Sequence, residues 1–308
     1  TAAYQASATG GETSQATMLR KLELDRAAHE TLIQRCAERG VMFLSTPFDL
    51  PSLDLLSPGL GLGTLKFSSG DLTNGPLLLA AARTGCRLIV STGMSTMDEV
   101  AQALGVIAVG LQHPEGHPDT PEALAAARTE PGMQARLIDI VTLLQCTSAY
   151  PTEFDEVHLR VMDSLSSTFG VPVGFSDHTP GILASLAAAA RGARIIEKHF
   201  TLDRKLPGPD QAASLEPHEI AEMVRSIRIV ERVLGDRTDK IPSPGEQDTA
   251  RVARKSVVAA RDIRDGELLT EQNLAVKRPG TGLSPMGYWG LLGRNAQRSY
   301  RRDEPIES

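Results

Sequence analysis

The sequence is poor in several features that define particular classes of protein. It has three cysteines and one tryptophan in 308 residues, and no apolar run approaches the ~18 residues that a membrane-spanning helix needs. Cys36, Cys86 and Cys146 are odd in number, widely spaced and set among apolar neighbours, so we expect free thiols in a reducing compartment. These observations give no support for a membrane protein or a disulfide framework, and we expect a cytoplasmic location.

The chain also lacks an excess of positive charge, with 32 Lys and Arg against 38 Asp and Glu. The formal net charge is −6, which argues against a nucleic-acid partner because no basic field is available to displace counterions from phosphates. A hydrophobic content of 41% and a charged content of 23% are ordinary for a globular protein. The length allows one large domain and a small one.

Short apolar runs that end in polar residues alternate with helical stretches, which predicts an α/β fold with a parallel sheet. Predicted strands lie at residues 41–44, 64–67, 88–90, 141–145, 174–175 and 193–196. Predicted helices lie at residues 14–39, 77–84, 97–107, 157–169 and 217–234. The last of these helices has Pro217 at its first position and Gly235 as its stop.

The alternation of predicted strands and helices is interrupted at two places. Residues 111–133, rich in His, Pro, Gly and Ala, are interpreted as a surface insertion, and residues 239–251 as a linker of Pro, Ser, Gly and charged residues. We therefore predict a large domain over residues 1–238 and a small, mostly β domain over residues 252–308. Six strands are fewer than the eight of a closed barrel.

Two histidines follow neighbouring predicted strands. His178 lies in Ser-Asp-His-Thr at 176–179, and His199 ends the Glu-Lys-His sequence at 197–199. Because parallel strands present their carboxyl ends at one edge, both rings are expected at the same mouth, where an open metal site is possible. The alternative is that each histidine is an ordinary structural or surface residue.

Nine motifs, in this order, resemble those of the sialic acid synthase family, whose members condense phosphoenolpyruvate with an N-acylated hexosamine. The resemblance covers nearly the whole chain. The motifs are Phe-Leu-Ser-Thr-Pro-Phe (43–48), Lys-Phe-Ser-Ser-Gly-Asp (66–71), Ser-Thr-Gly-Met (91–94), Gln-Cys-Thr-Ser-Ala-Tyr-Pro (145–151), Ser-Asp-His-Thr (176–179), Ile-Glu-Lys-His-Phe-Thr (196–201), Leu-Pro-Gly-Pro-Asp (206–210), Ala-Arg-Lys-Ser (253–256) and Val-Lys-Arg-Pro-Gly-Thr-Gly (276–282).

The resemblance implies a (β/α)8 TIM barrel followed by an antifreeze-like (SAF, β-clip) domain. Family members begin with a strand ending in a Glu-Ala-Gly-x-Asn-His type motif, then a helix and a strand ending in Lys-Phe-Gln, and neither motif occurs here. The barrel is thus expected to lack its first strand-helix-strand, a shortfall of ~50 to 60 residues. Gln145 and Ser148 also differ from the residues that many members carry.

The resemblance also implies roles for particular residues. His178 and His199 would be the protein ligands of Mn²⁺ or Mg²⁺, and Asp71 would position or activate a water, with a helix N-cap as its alternative role. The expected substrate-binding residues are Lys66, Ser69, Ser91 and Ser176 for phosphoenolpyruvate, with Ser148, Tyr150, Asp210 and Arg278 for the sugar. For Lys66, a solvated surface lysine is the alternative. Arg278 would reach the active site of the partner subunit in a homodimer with exchanged SAF domains.

Four readings of the function follow. The first is a bacterial-type N-acetylneuraminate synthase that uses N-acetylmannosamine, and the second is a legionaminate or pseudaminate synthase that uses a diacetamido hexose. The third is an inactive fragment, because the first strands of the barrel are missing from the sequence. The fourth, a pyruvate-lyase aldolase, needs a desolvated Schiff-base lysine, and Lys198 between Glu197 and His199 is not expected to be desolvated.

Overall fold

A computed structural model of the chain describes residues 15–20, 22–118, 120–208 and 210–307. The chain divides into two compact units, Thr1–Gly235 and Asp236–Ser308. Some sequence predictions include residues outside the described ranges. They are the first predicted helix at residues 14 and 21, the insertion at residue 119, and the Leu-Pro-Gly-Pro-Asp motif at residue 209.

In the large unit, the described residues form one parallel sheet in the order β1-β2-β3-β4-β5. Its strands are β1 Thr64–Phe67, β2 Arg87–Ser91, β3 Val141–Cys146, β4 Val173–Asp177 and β5 Ile196–Lys198. The helices that the described residues of this unit form are α1 Gln15–Arg20, α2 Arg26–Glu38, α3 Leu50–Asp54, α4 Gly75–Arg83, α5 Met97–Gln112, α6 Pro121–Thr129, α7 Met133–Ile140, α8 Val161–Phe169, α9 Leu183–Ala190 and α10 Pro217–Leu234.

The two faces of the sheet differ because side chains alternate along each strand. The face that packs on the helices carries large apolar side chains, among them Phe67, Val90, Leu143 and Phe175, all fully or almost fully buried. The cross-strand register places Lys66, Ser91, Cys146, Ser176 and Glu197 on the other face. The core therefore lies between sheet and helices, and the polar groups gather on the opposite side.

The sheet is curved as in a barrel. Lys66 is on the first strand of the sheet and Glu197 on the last, yet Lys66 Nζ lies 3.4 Å from Glu197 Oε2. Two side chains at opposite edges of a five-stranded sheet meet only if that sheet curls strongly around the face they share. The large unit is thus TIM-barrel-like, with a partial parallel sheet.

Several predicted elements need correction. Residues 41–44 form no strand, because no neighbouring segment among the described residues pairs with them, and Val41 and Met42 are 59% and 73% exposed. The predicted helix 14–39 is two helices, and Asp25 caps the second by accepting a hydrogen bond from the Ala28 amide. The predicted strand at residues 193–196 begins only at Ile196.

The described residues of the insertion at 111–133 are partly helical. The insertion contains α6 and leads into α7, and α6 packs closely on α5. A Cβ atom at Gly105 of α5 would lie 2.7 Å from Leu124 Cβ of α6, so only glycine allows this approach. Helix α10 matches the predicted range 217–234 at both ends.

The small unit is built on an antiparallel pair, β6 Ser256–Ala259 and β7 Leu274–Lys277, preceded by α11 Gln247–Ala253. Its core is a separate cluster that includes Val257, Ile263 and Tyr300. Residues 270–273 form a turn, in which the Thr270 amide donates to Asn273 Oδ1. Across the described residues of both units, no helix is long and apolar enough to span a membrane.

Candidate active site

The two histidines meet because β4 and β5 are in register. Ser176 lies opposite Glu197 and Asp177 opposite Lys198, so the residues that follow, His178 and His199, are the next neighbours across the two strands. Their ring centroids are 5.5 Å apart. The structure thus brings together the two rings that the sequence placed at one mouth.

His178 is held as a specific tautomer. Its Nδ1 lies 2.8 Å from the Thr147 carbonyl oxygen, which can only accept, so Nδ1 carries the proton and the lone pair is on Nε2. Burial lowers the pKa of His178 below the ordinary histidine value, although the Thr147 carbonyl opposes this shift. The ring is therefore neutral at neutral pH and its Nε2 can act as a ligand.

His199 has a carboxylate beside it. Its Nδ1 is 3.9 Å from Asp210 Oδ2. Burial lowers the pKa of His199, and the charge of Asp210 opposes the shift. The Tyr150 ring completes the group, with its centroid 4.2 Å from that of His178 and 5.8 Å from that of His199.

The donor set fits an open, catalytic metal position and not a closed structural one. Within the described residues, no group of three or more His, Cys, Asp or Glu side chains is arranged to hold a metal ion. Two neutral imidazoles leave the remaining coordination positions to water and substrate oxygens, an arrangement that suits Mn²⁺ better than a closed, structural Zn²⁺ site.

A second cluster surrounds Lys66. The Lys66 side chain is 12% exposed, so it is not a solvated surface lysine, and its Nζ donates to the Phe67 carbonyl at 2.9 Å. Glu197 joins this lysine to Ser176, whose Oγ donates to Glu197 Oε1 at 2.7 Å. Two residues expected to bind phosphoenolpyruvate thus share one carboxylate.

Serine hydroxyls converge around Gly93, just beyond the end of β2. The Gly93 amide donates to Ser69 Oγ at 3.0 Å. A Cβ atom at this glycine would lie 2.4 Å from Ser148 Oγ, 2.8 Å from Ser69 Oγ and 3.2 Å from Cys146 Sγ. The missing side chain at Gly93 therefore leaves the space that these groups line.

Two of the serine hydroxyls in this region are buried and unpaired. Ser91 Oγ and Ser148 Oγ are shielded from solvent and have no hydrogen-bond partner among the described residues. A buried hydroxyl without a partner costs roughly 1–3 kcal/mol. Such groups are typical of a site that a polar ligand completes.

Two further predicted residues are Asp71 and Arg278. Asp71 ends a 3₁₀ turn, where its carboxylate accepts from Ser68 Oγ at 2.6 Å and from Asn74 Nδ2 at 3.3 Å. The N-cap of α4 is Asn74, so Asp71 does not have that alternative role. Arg278 is in the small unit, where it is exposed and precedes a cis peptide bond to Pro279.

The expectation about Lys198 is wrong. Its side chain is only 2% exposed, and burial lowers its pKa, opposed by the charge of Asp177. Lys198 and Glu197 are consecutive on a strand and point to opposite faces, so the charged neighbours in sequence do not surround the amine. It lies on the helix-facing side, paired with Asp177 at 3.1 Å, and not at the mouth where a Schiff base would form.

Sequence reasoning passed over Glu197 and Gly93 as site residues. Glu197 could have been found from the motifs at 176–179 and 196–201. His178 lies two residues after Ser176, and His199 two residues after Glu197, so a register that places the histidines side by side also pairs Ser176 with Glu197. No comparable signal exists for Gly93, whose neighbours Ser69 and Ser148 are distant in sequence.

Comparisons with known proteins agree on one family. The NeuB family model matches residues 1–239, and the SAF domain model matches residues 254–307. An N,N'-diacetyllegionaminic acid synthase of Campylobacter jejuni is 43% identical over 99% of this chain and 84% of its own length. One of the same name from Legionella pneumophila is 37% identical over 95% of this chain and 75% of its own length.

Solved structures are similar as well. The N-acetylneuraminic acid (sialic acid) synthetase of Leptospira borgpetersenii superposes with a TM-score of 0.64 at 30% identity, over 80% of this chain and 76% of that one. The family model spans the large unit, including all the strand ends described above, and the second model spans the small unit. The chain therefore belongs to the NeuB family of sialic acid synthase-like enzymes and carries a C-terminal SAF domain.

Proposed function

We propose that this protein condenses phosphoenolpyruvate with an N-acyl hexosamine to give a nonulosonic acid and phosphate. The proposal rests on the side chains that lie at the strand ends, on the face of the sheet opposite the helices. This face presents a shielded lysine, four serine hydroxyls, two of them unpaired, and two neutral imidazoles. That set can hold a phosphate, a carboxylate and a carbonyl oxygen next to one another.

The reaction forms one C–C bond and cleaves one C–O bond. The methylene carbon of phosphoenolpyruvate attacks the open-chain aldehyde of the sugar, which forms the C–C bond and converts the aldehyde oxygen to a hydroxyl. Water adds to the former enol carbon, and phosphate leaves by cleavage of the C–O bond. Lys66 and Ser176 hold the anionic substrate, with Ser69 and Ser91 as further hydroxyl contacts. Asp71 positions the water.

The sugar lies against the other half of the site. Asp210 accepts hydrogen bonds from sugar hydroxyls, and Tyr150 and Ser148 contact the acetamido group. His178 and His199 would hold Mn²⁺ or Mg²⁺, which as a Lewis acid would polarise the aldehyde. The tautomer of His178 supports this role, because the Thr147 carbonyl leaves its Nε2 free to bind.

For the sugar we propose a diacetamido hexose, which makes the product a legionaminic-type acid. Two relatives named as N,N'-diacetyllegionaminic acid synthases support this choice, at 43% and 37% identity. N-acetylmannosamine, which would make the protein an N-acetylneuraminate synthase, is the second candidate. It is supported by the synthetase structure that is 30% identical.

The test is an assay of the purified protein with phosphoenolpyruvate, Mn²⁺ and each of three sugars, two diacetamido hexoses of different configuration and N-acetylmannosamine. Phosphate release and product mass are measured together. We expect the highest kcat/KM with one of the diacetamido sugars. Phosphate release with N-acetylmannosamine alone would favour the second candidate, and no release with any sugar would contradict the proposal.

Replacement of Arg278 tests the part assigned to the small unit. If its guanidinium contacts the N-acyl group in the partner subunit of a homodimer, Arg278→Ala should raise the KM for the sugar about 10-fold or more and leave the KM for phosphoenolpyruvate nearly unchanged. Arg302→Ala, in the same unit and with a side chain 71% exposed, is the matched control. A monomer with normal sugar affinity after the Arg278 change would contradict the assignment.

Glu197 should compete with the anionic substrate. Its carboxylate contacts both Lys66 and Ser176, the two groups proposed to hold phosphoenolpyruvate. Glu197→Gln keeps the shape and removes the charge, so we expect the KM for phosphoenolpyruvate to fall about two- to fivefold, the range typical of a partly exposed ion pair. Glu231→Gln, which removes a carboxylate from an exposed pair on α10, should leave this KM unchanged. A rise in this KM after the Glu197 change would show that the carboxylate assists binding.

A further inference from the structure

A buried ion pair lies directly behind the two imidazoles. Lys198 Nζ is 3.1 Å from Asp177 Oδ2, and the two side chains are 2% and 0% exposed. Both residues point to the helix-facing side of the sheet, so neither can contact a substrate at the mouth. Neither residue has a role in the reaction proposed above.

The pair is the centre of a larger network of buried hydrogen bonds. Asp177 Oδ1 accepts from the amide and from the hydroxyl of Thr179, both at 2.8 Å, and Oδ2 accepts from Ser185 Oγ at 2.5 Å. Lys198 Nζ also donates to the Thr179 carbonyl. The network thereby connects the end of β4, the turn after it, helix α9 and strand β5.

Such a pair is an uncommon choice for stability alone. Removing two charges from water costs several kcal/mol per ion, and well-packed apolar residues at such positions are often equally stable or more so. What a buried pair can add is a single preferred arrangement of the elements it joins. Here those elements are two short strands that carry His178 and His199 one residue farther on.

The register of the two strands depends on very few residues. The ladder covers Phe175–Asp177 and Ile196–Lys198, and its last pair is Asp177 with Lys198. One further backbone hydrogen bond, from the Arg194 amide to the Val173 carbonyl, precedes it. A shift of β5 by one residue against β4 would turn Lys198 towards the mouth and move His199 to the other face, while Asp177 and His178 would stay in place on β4. The ion pair penalises that shift strongly, because each charge would lose its partner.

We propose that Asp177 and Lys198 are positioning residues that fix the separation and direction of the His178 and His199 rings. The inference rests on the proposed function, in which these rings hold a divalent ion. Ser185 and Thr179 support the pair, because they occupy the remaining acceptor positions of the Asp177 carboxylate. The network orients the ligands and does not contact substrate.

The experiment compares Mn²⁺ binding with folding stability in the substrate-free protein. Isothermal titration calorimetry with Mn²⁺ alone gives the affinity, and thermal unfolding gives Tm. The parent and His178→Ala are measured first. If the parent does not bind Mn²⁺, or if both bind it equally, the proposed metal function fails and the positioning role has nothing to act on.

The decisive variants are Lys198→Met and the double change Asp177→Leu with Lys198→Met. We expect the single variant to lose both Tm and Mn²⁺ affinity, because it leaves a buried, unpaired carboxylate. The double variant should regain most of the Tm yet bind Mn²⁺ at least about 10-fold more weakly than the parent. Arg228→Met, which breaks an exposed pair on α10, should change neither quantity.

Parental Mn²⁺ affinity in the double variant would overturn the proposal, because charge compensation would then be the only role of the pair. Parental affinity in Lys198→Met would overturn it as well. If the double variant does not fold, Ser185→Ala replaces it, since it removes one donor from Asp177 Oδ2 and keeps both charges. A loss of Mn²⁺ affinity of about threefold or more with little change in Tm then supports the positioning role, and a parental value contradicts it.

Discussion

The His178→Ala variant should lose Mn²⁺-dependent turnover by at least about 100-fold, because one of the two proposed protein ligands is removed and the Nε2 that the Thr147 carbonyl orients disappears with it. Initial rates are measured over a range of Mn²⁺ concentrations with saturating substrates. Raising the Mn²⁺ concentration should restore only a small part of the activity. His199→Ala should show the same dependence.

Folding and catalysis have to be separated in this test, because His178 is buried and its truncation leaves a cavity. The His199 side chain is 37% exposed, so His199→Ala should lower Tm less than His178→Ala and still abolish turnover. His218→Ala, on α10 with a side chain 76% exposed, is the control of the same residue type. A His178→Ala enzyme with near-parental activity at limiting Mn²⁺ would show that the assignment of the metal ligands is wrong.

Gly93→Ala should raise the KM for phosphoenolpyruvate, which Ser69 is proposed to contact, by about 10- to 100-fold, the range expected when hydrogen bonds to a charged ligand are lost. It should also raise the KM for the sugar, which Ser148 is proposed to contact. The added methyl group would lie 2.4 Å from Ser148 Oγ and 2.8 Å from Ser69 Oγ, closer than van der Waals contact allows. Both hydroxyls can rotate away, so the fold should survive with little change in Tm. After rotation they no longer point into the shared space.

Gly63→Ala is the matched control for this change. Gly63 is in the same unit just before β1, and a Cβ atom there would meet nothing within 4 Å. Steady-state kinetics with each substrate varied in turn give the two KM values. Parental KM values for both substrates in Gly93→Ala would mean that Ser69 and Ser148 do not line the substrate site.

Features set by short stretches of sequence were predictable. The bounds of α10 follow from Pro217 and Gly235, and the parallel sheet follows from apolar runs alternating with helical ones. The polar residues after each run were also visible in sequence, which explains why the imidazole pair was anticipated. Local periodicity and capping act within about one helical turn, so a single sequence carries that information.

Features that depend on a partner distant in sequence were decided by the tertiary structure. Residues 41–44 have strand composition, but a strand exists only where a neighbour accepts its hydrogen bonds. Lys198 lies between two polar residues, yet alternation along β5 turns it into the interior, where Asp177 neutralises it. The pairing of Lys66 with Glu197 and the serines around Gly93 arise from the curvature of the sheet, which brings together residues from separate motifs. The sequence thus determined which chemical groups stand at the strand ends, and the curved, in-register sheet alone decided which of them touch.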